Sequence, residues 1–335
     1  MPDRDYRQLF EQFRHLNIMV IGDVMVDAYL FGKVERISPE APVPVVSVEK
    51  RVNRLGGAAN VALNLKALGA TPILCSVIGN DLKGNEFRQL MQEAQLDSEA
   101  VLTSKDRVTT TKFRVIGNKM QMLRVDEEMT TDLNPGDEAT LLDRIVSLID
   151  NKKPDAIIFQ DYNKGVLTAS LISKIIAKAK SADIPTTVDP KKKNFLQYKG
   201  VSLFKPNLRE LREGLGIEFR GSDRENLSKA AGMLHGDYGI ETVMVTLSDE
   251  GVFISLVEPG GQAEQHLLPA YRRNISDVSG AGDTVISVAT LCLACRLDPA
   301  GIAALSNLAG GLVCEEVGVV PVNRERLLKE ALSLL

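Results

Sequence analysis

Seven residues, Asp277-Val278-Ser279-Gly280-Ala281-Gly282-Asp283, set small side chains between two acids, and the apolar run from Thr284 to Cys295 follows at once. Small residues let backbone N–H groups converge, and a buried helix starting there points its positive N-terminal end at them. The outcome is an anion site with a carboxylate, Asp283, beside it. Such donors stabilise developing phosphoryl charge, and a carboxylate within reach can take the proton of an attacking hydroxyl. The same letters also suit a plain glycine turn followed by a helix with an acid in its first turn, so the rest of the chain has to decide.

Other chemistry is thinly supplied. There is no Gly-x-x-x-x-Gly-Lys-Ser/Thr loop, and Gly280-Ala281-Gly282 lacks the third glycine and the preceding strand of the dinucleotide fingerprint. His15, His235 and His266 are dispersed and expected at the surface, which disfavours zinc or Ser-His-Asp chemistry. Cys75, Cys292, Cys295 and Cys314 lie in apolar runs and read as reduced core thiols.

Stepping outward to the elements, Ile18 to Ile21 reads as a buried strand that ends in Gly22-Asp23 and continues to Asp27. Acids just beyond a strand's carboxyl end sit where open α/β sheets bind ligands. Leu55-Gly56-Gly57-Ala58-Ala59-Asn60 is a second glycine loop feeding a helix, stopped by Gly69. Its paired glycines admit a ligand to the backbone, and Asn60 offers both donor and acceptor. Strands from Ala156 to Phe159 and from Thr186 to Val188 deliver Gln160-Asp161-Tyr162 and Asp189, the latter followed by Lys191, Lys192 and Lys193. A strand from Val201 to Phe204 hands over to Lys205-Pro206-Asn207. Asn207 and Glu210 then share a helix face, suited either to Mg²⁺ through water beside phosphates or to a simple helix cap. Thr242 to Leu247, the turn Ser248 to Gly251, and Val252 to Val257 form a hairpin able to wall a nucleotide pocket. Helices are expected from Pro135 to Ile149, Thr168 to about Ala182, Pro299 to Glu316 and Val322 to Leu334.

These strand, helix, strand repeats predict an α/β fold with a doubly wound, mostly parallel sheet flanked by helices. Two β-only segments interrupt it, residues 29–52 with Pro39, Pro42 and Pro44, and residues 109–125 with a hairpin turn at Gly117-Asn118. They are expected to pair into a small lid sheet. On the second, Lys112, Arg114 and Arg124 recur at even spacing and share a face. No linker or repeat divides the 335 residues, so one domain with an inserted lid is expected. With 44% hydrophobic residues and a net charge of −4, composition points to a globular protein with a small-molecule ligand and no nucleic-acid or membrane partner. The start lacks a signal pattern and no apolar run reaches about 18 residues, so a cytoplasmic location is expected.

Taken in order, Gly56-Gly57 with Asn60, Asn207-Leu208-Arg209-Glu210, Val245 to Gly251, and Asp277 to Asp283 resemble the ribokinase-like sugar kinases, the PfkB carbohydrate kinase family. The resemblance runs essentially end to end. It implies a ribokinase-like fold and a phosphotransferase using ATP and Mg²⁺. By that resemblance Asp283 is the catalytic base, and the amides of Gly280, Ala281 and Gly282 form the anion hole. Asn207 and Glu210 organise Mg²⁺, while Thr246, Ser248, Gly251 and Asn307 line the nucleotide. Asp27, Gly57 and Asn60 hold the sugar, and Asp23, Gly56, Asp161 and Lys191 join them as candidate substrate contacts. Asp277 and Ser279 match positions that hold K⁺ in many members.

A narrower resemblance lies in Gly22 to Asp27, Glu35 to Val45, Asp161 to Gly165, Val188 to Lys191 and Gly282 to Ile286. These stretches are similar to the family branch that phosphorylates D-glycero-D-manno-heptose 7-phosphate at its anomeric oxygen for lipopolysaccharide precursors. Ser248 and Gln160 depart from the family, which favours Gly and a small residue there. Val285, where general sugar kinases favour Phe, suits the heptose branch. Bifunctional members also carry a nucleotidyltransferase half that this chain lacks, so a single-function kinase or a truncated chain is expected. The substrate's 7-phosphate implies cations from Lys112, Arg114 or Arg124, or from Lys191 to Lys193, with Arg36 from a partner lid. Exposed lid edges are expected to pair across a twofold axis in a homodimer. The rival readings are a kinase of ribose, fructose or a hexose phosphate, a nucleotide- or sugar-binding regulator without turnover, and a dehydrogenase.

Overall fold

Ile18-Met19-Val20-Ile21 contains no polar residue because its strand, β1 (Asn17–Gly22), is covered on both faces. Side chains alternate across a strand, so Ile18 and Val20 enter one apolar core while Met19 and Ile21 enter another. The computed structural model describes residues 5–219, 223–257, 261 and 263–335. In it β1 lies between β4 (Thr71–Gly79) and β8 (Ala156–Gln160), parallel to both. Outward from β8 come β9 (Thr186–Asp189), β10 (Leu203–Phe204) and β11 (Thr242–Thr246), all parallel. The antiparallel β12 (Val252–Leu256) and β13 (Glu264–Leu268) complete that side, and β5 (Val101–Ser104) closes the other. The result is a nine-stranded, mostly parallel sheet.

Helices cover both faces. One core is closed by α1 (Tyr6–Phe13), α2 (Ala58–Leu68), α3 (Leu82–Glu93), α8 (Ala281–Ala294), α9 (Pro299–Val313) and α10 (Arg324–Leu334). The other is closed by α4 (Pro135–Lys152), α5 (Ala169–Ser181), α6 (Leu208–Leu215) and α7 (Arg224–Tyr238). Cys75, Cys292 and Cys314 are buried, Cys295 is partly exposed, and none of the four forms a disulfide among the described residues. His235 differs from the surface residue expected, because its ring is held between the Ile240 carbonyl and the Ser255 hydroxyl. Among the described residues no helix is long and apolar enough to cross a membrane.

A second sheet, ordered β3-β2-β6-β7, joins β2 (Val24–Ile37), β3 (Pro44–Gly57), β6 (Thr111–Gly117) and β7 (Met120–Glu127). It is wider than residues 29–52 and 109–125, since β2 and β3 already pair at Val24 and Gly57. The prolines fall at the margin, with Pro44 opening the edge strand β3. Only Asp23 separates β1 from β2.

Two expected boundaries move. The hairpin turns at Asn118-Lys119 instead of Gly117-Asn118, with φ of 50° and 68° at the two loop residues. Asn118 is fixed there by two bonds to the Val34 backbone, at 3.2 and 3.1 Å. Helix α9 stops at Val313 instead of reaching Glu316. The Cys314 carbonyl accepts from the amides of Ser276 and Asp277, and the Gly318 amide donates to the Asp277 carboxylate at 2.9 Å. The extended segment entering the glycine loop therefore takes the bonds that would have continued the helix.

Candidate active site

The carboxyl ends of β1, β8, β9 and β10 converge on the first turn of α8, because parallel strands all deliver their ends to one edge of the sheet. Gly280 precedes that helix with φ of 82°, a left-handed conformation that glycine adopts without strain. A Cβ there would lie 3.1 Å from the Asn60 amide nitrogen. First-turn amides have no intrahelical acceptor, which leaves those of Gly282 and Asp283 available to a ligand at the start of α8. The Ala281 amide is partly used, donating at 3.3 Å to the Val278 carbonyl.

Asp283 is 3% exposed. Its Oδ2 accepts from Asn60 Nδ2 at 2.7 Å, and its Oδ1 accepts from Tyr162 Oη at 2.7 Å and Gln160 Nε2 at 3.0 Å. Burial pushes the carboxyl up to about 6, with the Asn60 and Tyr162 donors and Lys205 working against the rise and Asp189 adding to it. A carboxylate so placed is a base with its proton affinity raised toward neutrality.

Behind it runs a chain of charges. Gln160 Nε2 also reaches Asp189 Oδ2 at 3.3 Å, while Gln160 Oε1 is buried without a partner among the described residues. Asp189 is paired with Lys205 at 3.2 Å and Lys191 at 3.5 Å. Burial opposes its charge, but those two ammonium groups outweigh burial and hold it below the usual carboxylate range. Lys191 pairs in turn with Glu210; burial works against its charge, and Asp189 and Glu210 raise it above the ordinary lysine range. Lys205 is 2% exposed, and a Cβ on Gly282 would lie 3.7 Å from its Nζ. This buried cation therefore sits under the first turn of α8.

Asn207 and Glu210 form a reciprocal capping box on α6, with both bonds at 2.8 Å. The helix-cap and Mg²⁺ readings meet here. With one Glu210 oxygen on the Asn207 amide and the other on Lys191, a divalent ion fits only through water, alongside phosphate oxygens. Among the described residues no group of three or more His, Cys, Asp or Glu could hold a metal directly. Asp277 caps its own loop, accepting from the Ser279 and Gly318 amides at 2.9 Å each. Burial opposes its charge, and these amides together hold it below the usual range.

The positions expected at the nucleotide gather on one side. Thr246 ends β11 and bridges to Asn207, while Ser248 and Gly251 turn the hairpin with φ of 59° and 106°. Gly251 packs on the Leu268 carbonyl, and Asn307 Nδ2 donates to the adjacent Pro269 carbonyl at 2.8 Å.

On the opposite side Asp27 is buried, paired with Arg114, and overlaid by Gly56, where a Cβ would come 2.5 Å from its Oδ2. Gly57, with φ of 63°, starts the turn into α2 that presents Asn60. Lys112 Nζ lies 5.8 Å from the centroid of the Tyr162 ring. Arg124 on β7, opposite Arg114, is half-exposed and paired with Asp126 at 3.0 Å.

Two expected substrate contacts turn inward. Asp23 Oδ2 accepts from the Tyr162 and Lys164 amides at 2.9 and 3.0 Å, and Oδ1 accepts from the Val166 amide at 3.0 Å. Asp161 accepts from the Asn163 amide, the Asn194 side chain and the Tyr198 hydroxyl, and burial together with Asp23 pushes it up to about 6. Their oxygens are spent on bracing the 161–166 loop, which in turn presents Tyr162. Sequence reasoning missed Gln160, Tyr162, Asp189 and Lys205 as site residues. All four end or follow parallel strands, the same signal that singled out Asp23 and Asp161.

The chain is similar over nearly its whole length to known proteins. It is 40% identical over 316 residues to the bifunctional protein HldE of Methylobacillus flagellatus, and 40% identical over 310 residues to that of Helicobacter pylori. The aligned regions cover 94% and 92% of this chain, but only 63% and 65% of those relatives. The fold superposes on phosphofructokinase-2 from Escherichia coli in complex with potassium, with a TM-score of 0.76 at 18% identity, covering 94% of this chain and 97% of that one. Ribokinase from Arabidopsis thaliana complexed with ribose and ATP gives a TM-score of 0.69 at 17% identity, covering 94% and 99%. The family model of the pfkB family carbohydrate kinases matches residues 15–326, the span that carries every strand and helix of the site. With that match added to a buried carboxylate at a glycine-led helix start, this chain belongs to the pfkB family of carbohydrate kinases.

Proposed function

We propose that this chain transfers the γ-phosphoryl group of ATP to the anomeric C1 hydroxyl of D-glycero-D-manno-heptose 7-phosphate, giving the 1,7-bisphosphate. The observation that carries the reading is the placement of Asp283, a buried base whose proton affinity is raised, at the start of α8. The 40% identity to bifunctional HldE proteins supports the branch, and the motifs from Gly22 to Asp27 and Asp161 to Gly165 support the substrate.

In this mechanism the C1 oxygen attacks the γ-phosphorus in line. The new O–P bond forms as the bond to the β,γ-bridging oxygen breaks, ADP leaves, and the hydroxyl proton passes to Asp283. The Gly282 and Asp283 amides, with Lys205 beneath them, face the charge on the transferred group. Gly280 sets their direction. Asp27, Gly57 and Asn60 hold the sugar, and Thr246, Ser248, Gly251 and Asn307 flank the nucleotide. Asn207 and Glu210 would hold Mg²⁺ through water, where it would supply neutralisation of phosphate charge, and Asp277 and Ser279 would hold K⁺. The reaction belongs in the cytoplasm, where ATP is made, as a step toward lipopolysaccharide precursors.

The working form is a homodimer joined through the four-stranded sheet. Ile37, Val48, Met120, Leu123 and Val125 support it, being apolar, on that sheet and at least 47% exposed.

A panel of sugars and sugar phosphates assayed for ADP release, with the product position read by phosphorus NMR, tests the reading. Heptose 7-phosphate is expected to be the best acceptor. Strong turnover of ribose or fructose with none of heptose 7-phosphate would replace the substrate assignment.

A further inference from the structure

The sequence offers several cations to the acceptor end of the site, and the structure separates them. Arg114 is paired with Asp27, Arg124 with Asp126, Lys191 with Glu210 and Asp189, and Lys193 with Asp132. Lys192 and Arg36 are exposed, where water and salt screen their charge. Lys112 differs from all of them. It is half-buried on β6, in register between Asp27 of β2 and Asp126 of β7, whose carboxylates attract it but are paired with Arg114 and Arg124. It makes no ion pair of its own among the described residues, and burial, with Lys164 and Arg124, holds its ammonium below the ordinary lysine range. A cation kept partly out of water, whose neighbouring carboxylates are already engaged by other cations, gains most from an incoming anion.

Its seat is Tyr162. Lys112 Nζ lies 5.8 Å and Lys191 Nζ 5.7 Å from the centroid of that ring, while the phenol of the same residue donates to Asp283 Oδ1 at 2.7 Å. One side chain thus touches the base, Lys191 of the charge chain behind it, and Lys112 of the second sheet. A sugar that reacts at one end and carries a phosphate at the other has to span this distance.

We propose that Lys112, seated over the Tyr162 ring, anchors the phosphate that the sugar already carries, and that Tyr162 is a positioning residue tying this anchor to Asp283. The inference rests on the reading of a phosphorylated sugar as acceptor and assigns the part of the site that selects it.

Lys112→Met keeps the length of the stem and removes the charge. Steady-state kinetics of the full chain with ATP are compared for heptose 7-phosphate and for the same heptose without its phosphate. The KM for the phosphorylated sugar is expected to rise about 10- to 100-fold, with a smaller change in kcat, and the preference over the unphosphorylated sugar to fall by a similar factor. Lys112→Arg is expected to recover most of that loss. Tyr162→Phe keeps the ring and is expected to lower kcat with little change in this KM, whereas Tyr162→Leu is expected to worsen both. Thermal unfolding midpoints identify any variant that fails to fold, in which case Lys112→Gln reads the same constants.

An unchanged KM in a folded Lys112→Met protein overturns the anchor and leaves the substrate reading standing. Wild-type turnover confined to unphosphorylated sugars overturns both. Should another sugar phosphate prove to be the acceptor, the heptose assignment falls, and the same KM comparison with that compound decides the anchor.

Discussion

Asp283 receives three side-chain hydrogen bonds, from Asn60 on α2 and from Gln160 and Tyr162 at the end of β8. Those donors favour the ionised form while burial disfavours it, and burial wins. A base works only when ionised, so kcat/KM should fall as pH drops through about 6 and level off above it, which a pH–rate profile will show. Removing one donor to the ionised form by Tyr162→Phe should move that acid limb to higher pH. Asp283→Asn is expected to cost about 10²- to 10⁴-fold in kcat while calorimetry still records ATP binding. Undiminished turnover in that variant would remove Asp283 from the role of base.

At the scale of elements, glycine at the β3–α2 junction matters more than its size suggests. Gly57 has φ of 63°, and a Cβ would approach the Asp23 carbonyl oxygen to 2.3 Å. Gly57→Ala should therefore destabilise the fold by about 1–3 kcal/mol in denaturant titration, because the strained backbone and the contact fall on one residue. The same junction shows what the sequence makes legible. Gly57, Gly69 and Gly280 announce helix starts and stops because they answer to local backbone geometry, and uninterrupted apolar runs such as Ile18 to Ile21 mark strands buried on both faces. Helix α7 is harder to read, since Gly232 and Gly236, both on its exposed face, are weak helix formers, and β10 has only two residues. Site membership is harder still. Asn60 and Asp283 are 223 positions apart, and only the packing of α2 on α8 brings them together. Nor does an acid at a strand end reveal which way it turns. Asp23 and Asp161 brace a loop, while the neighbouring Gln160 and Tyr162 face the base.

For the molecule as a whole, the two sheets divide the labour. The nine-stranded sheet and its helices carry Asp283, the α8 amides, Lys205 and the Asn207–Glu210 cap, whereas the second sheet carries Asp27, Lys112 and Arg114. If apolar residues of that second sheet join two copies, sedimentation velocity should give a dimer for the wild type and a monomer for Leu123→Glu, whose wild-type side chain is 56% exposed. A monomer in both would dismiss the interface. The short crossing between the sheets has an evolutionary consequence. Since Asp23 alone links β1 to β2 and Gly57 leads straight into α2, the roles proposed for the two sheets would let a lineage rewrite acceptor recognition in one while phosphoryl transfer in the other drifts separately. Chimeras that exchange residues 24–57 and 111–127 between family members should carry acceptor preference with the transplanted strands and leave the nucleotide used unchanged.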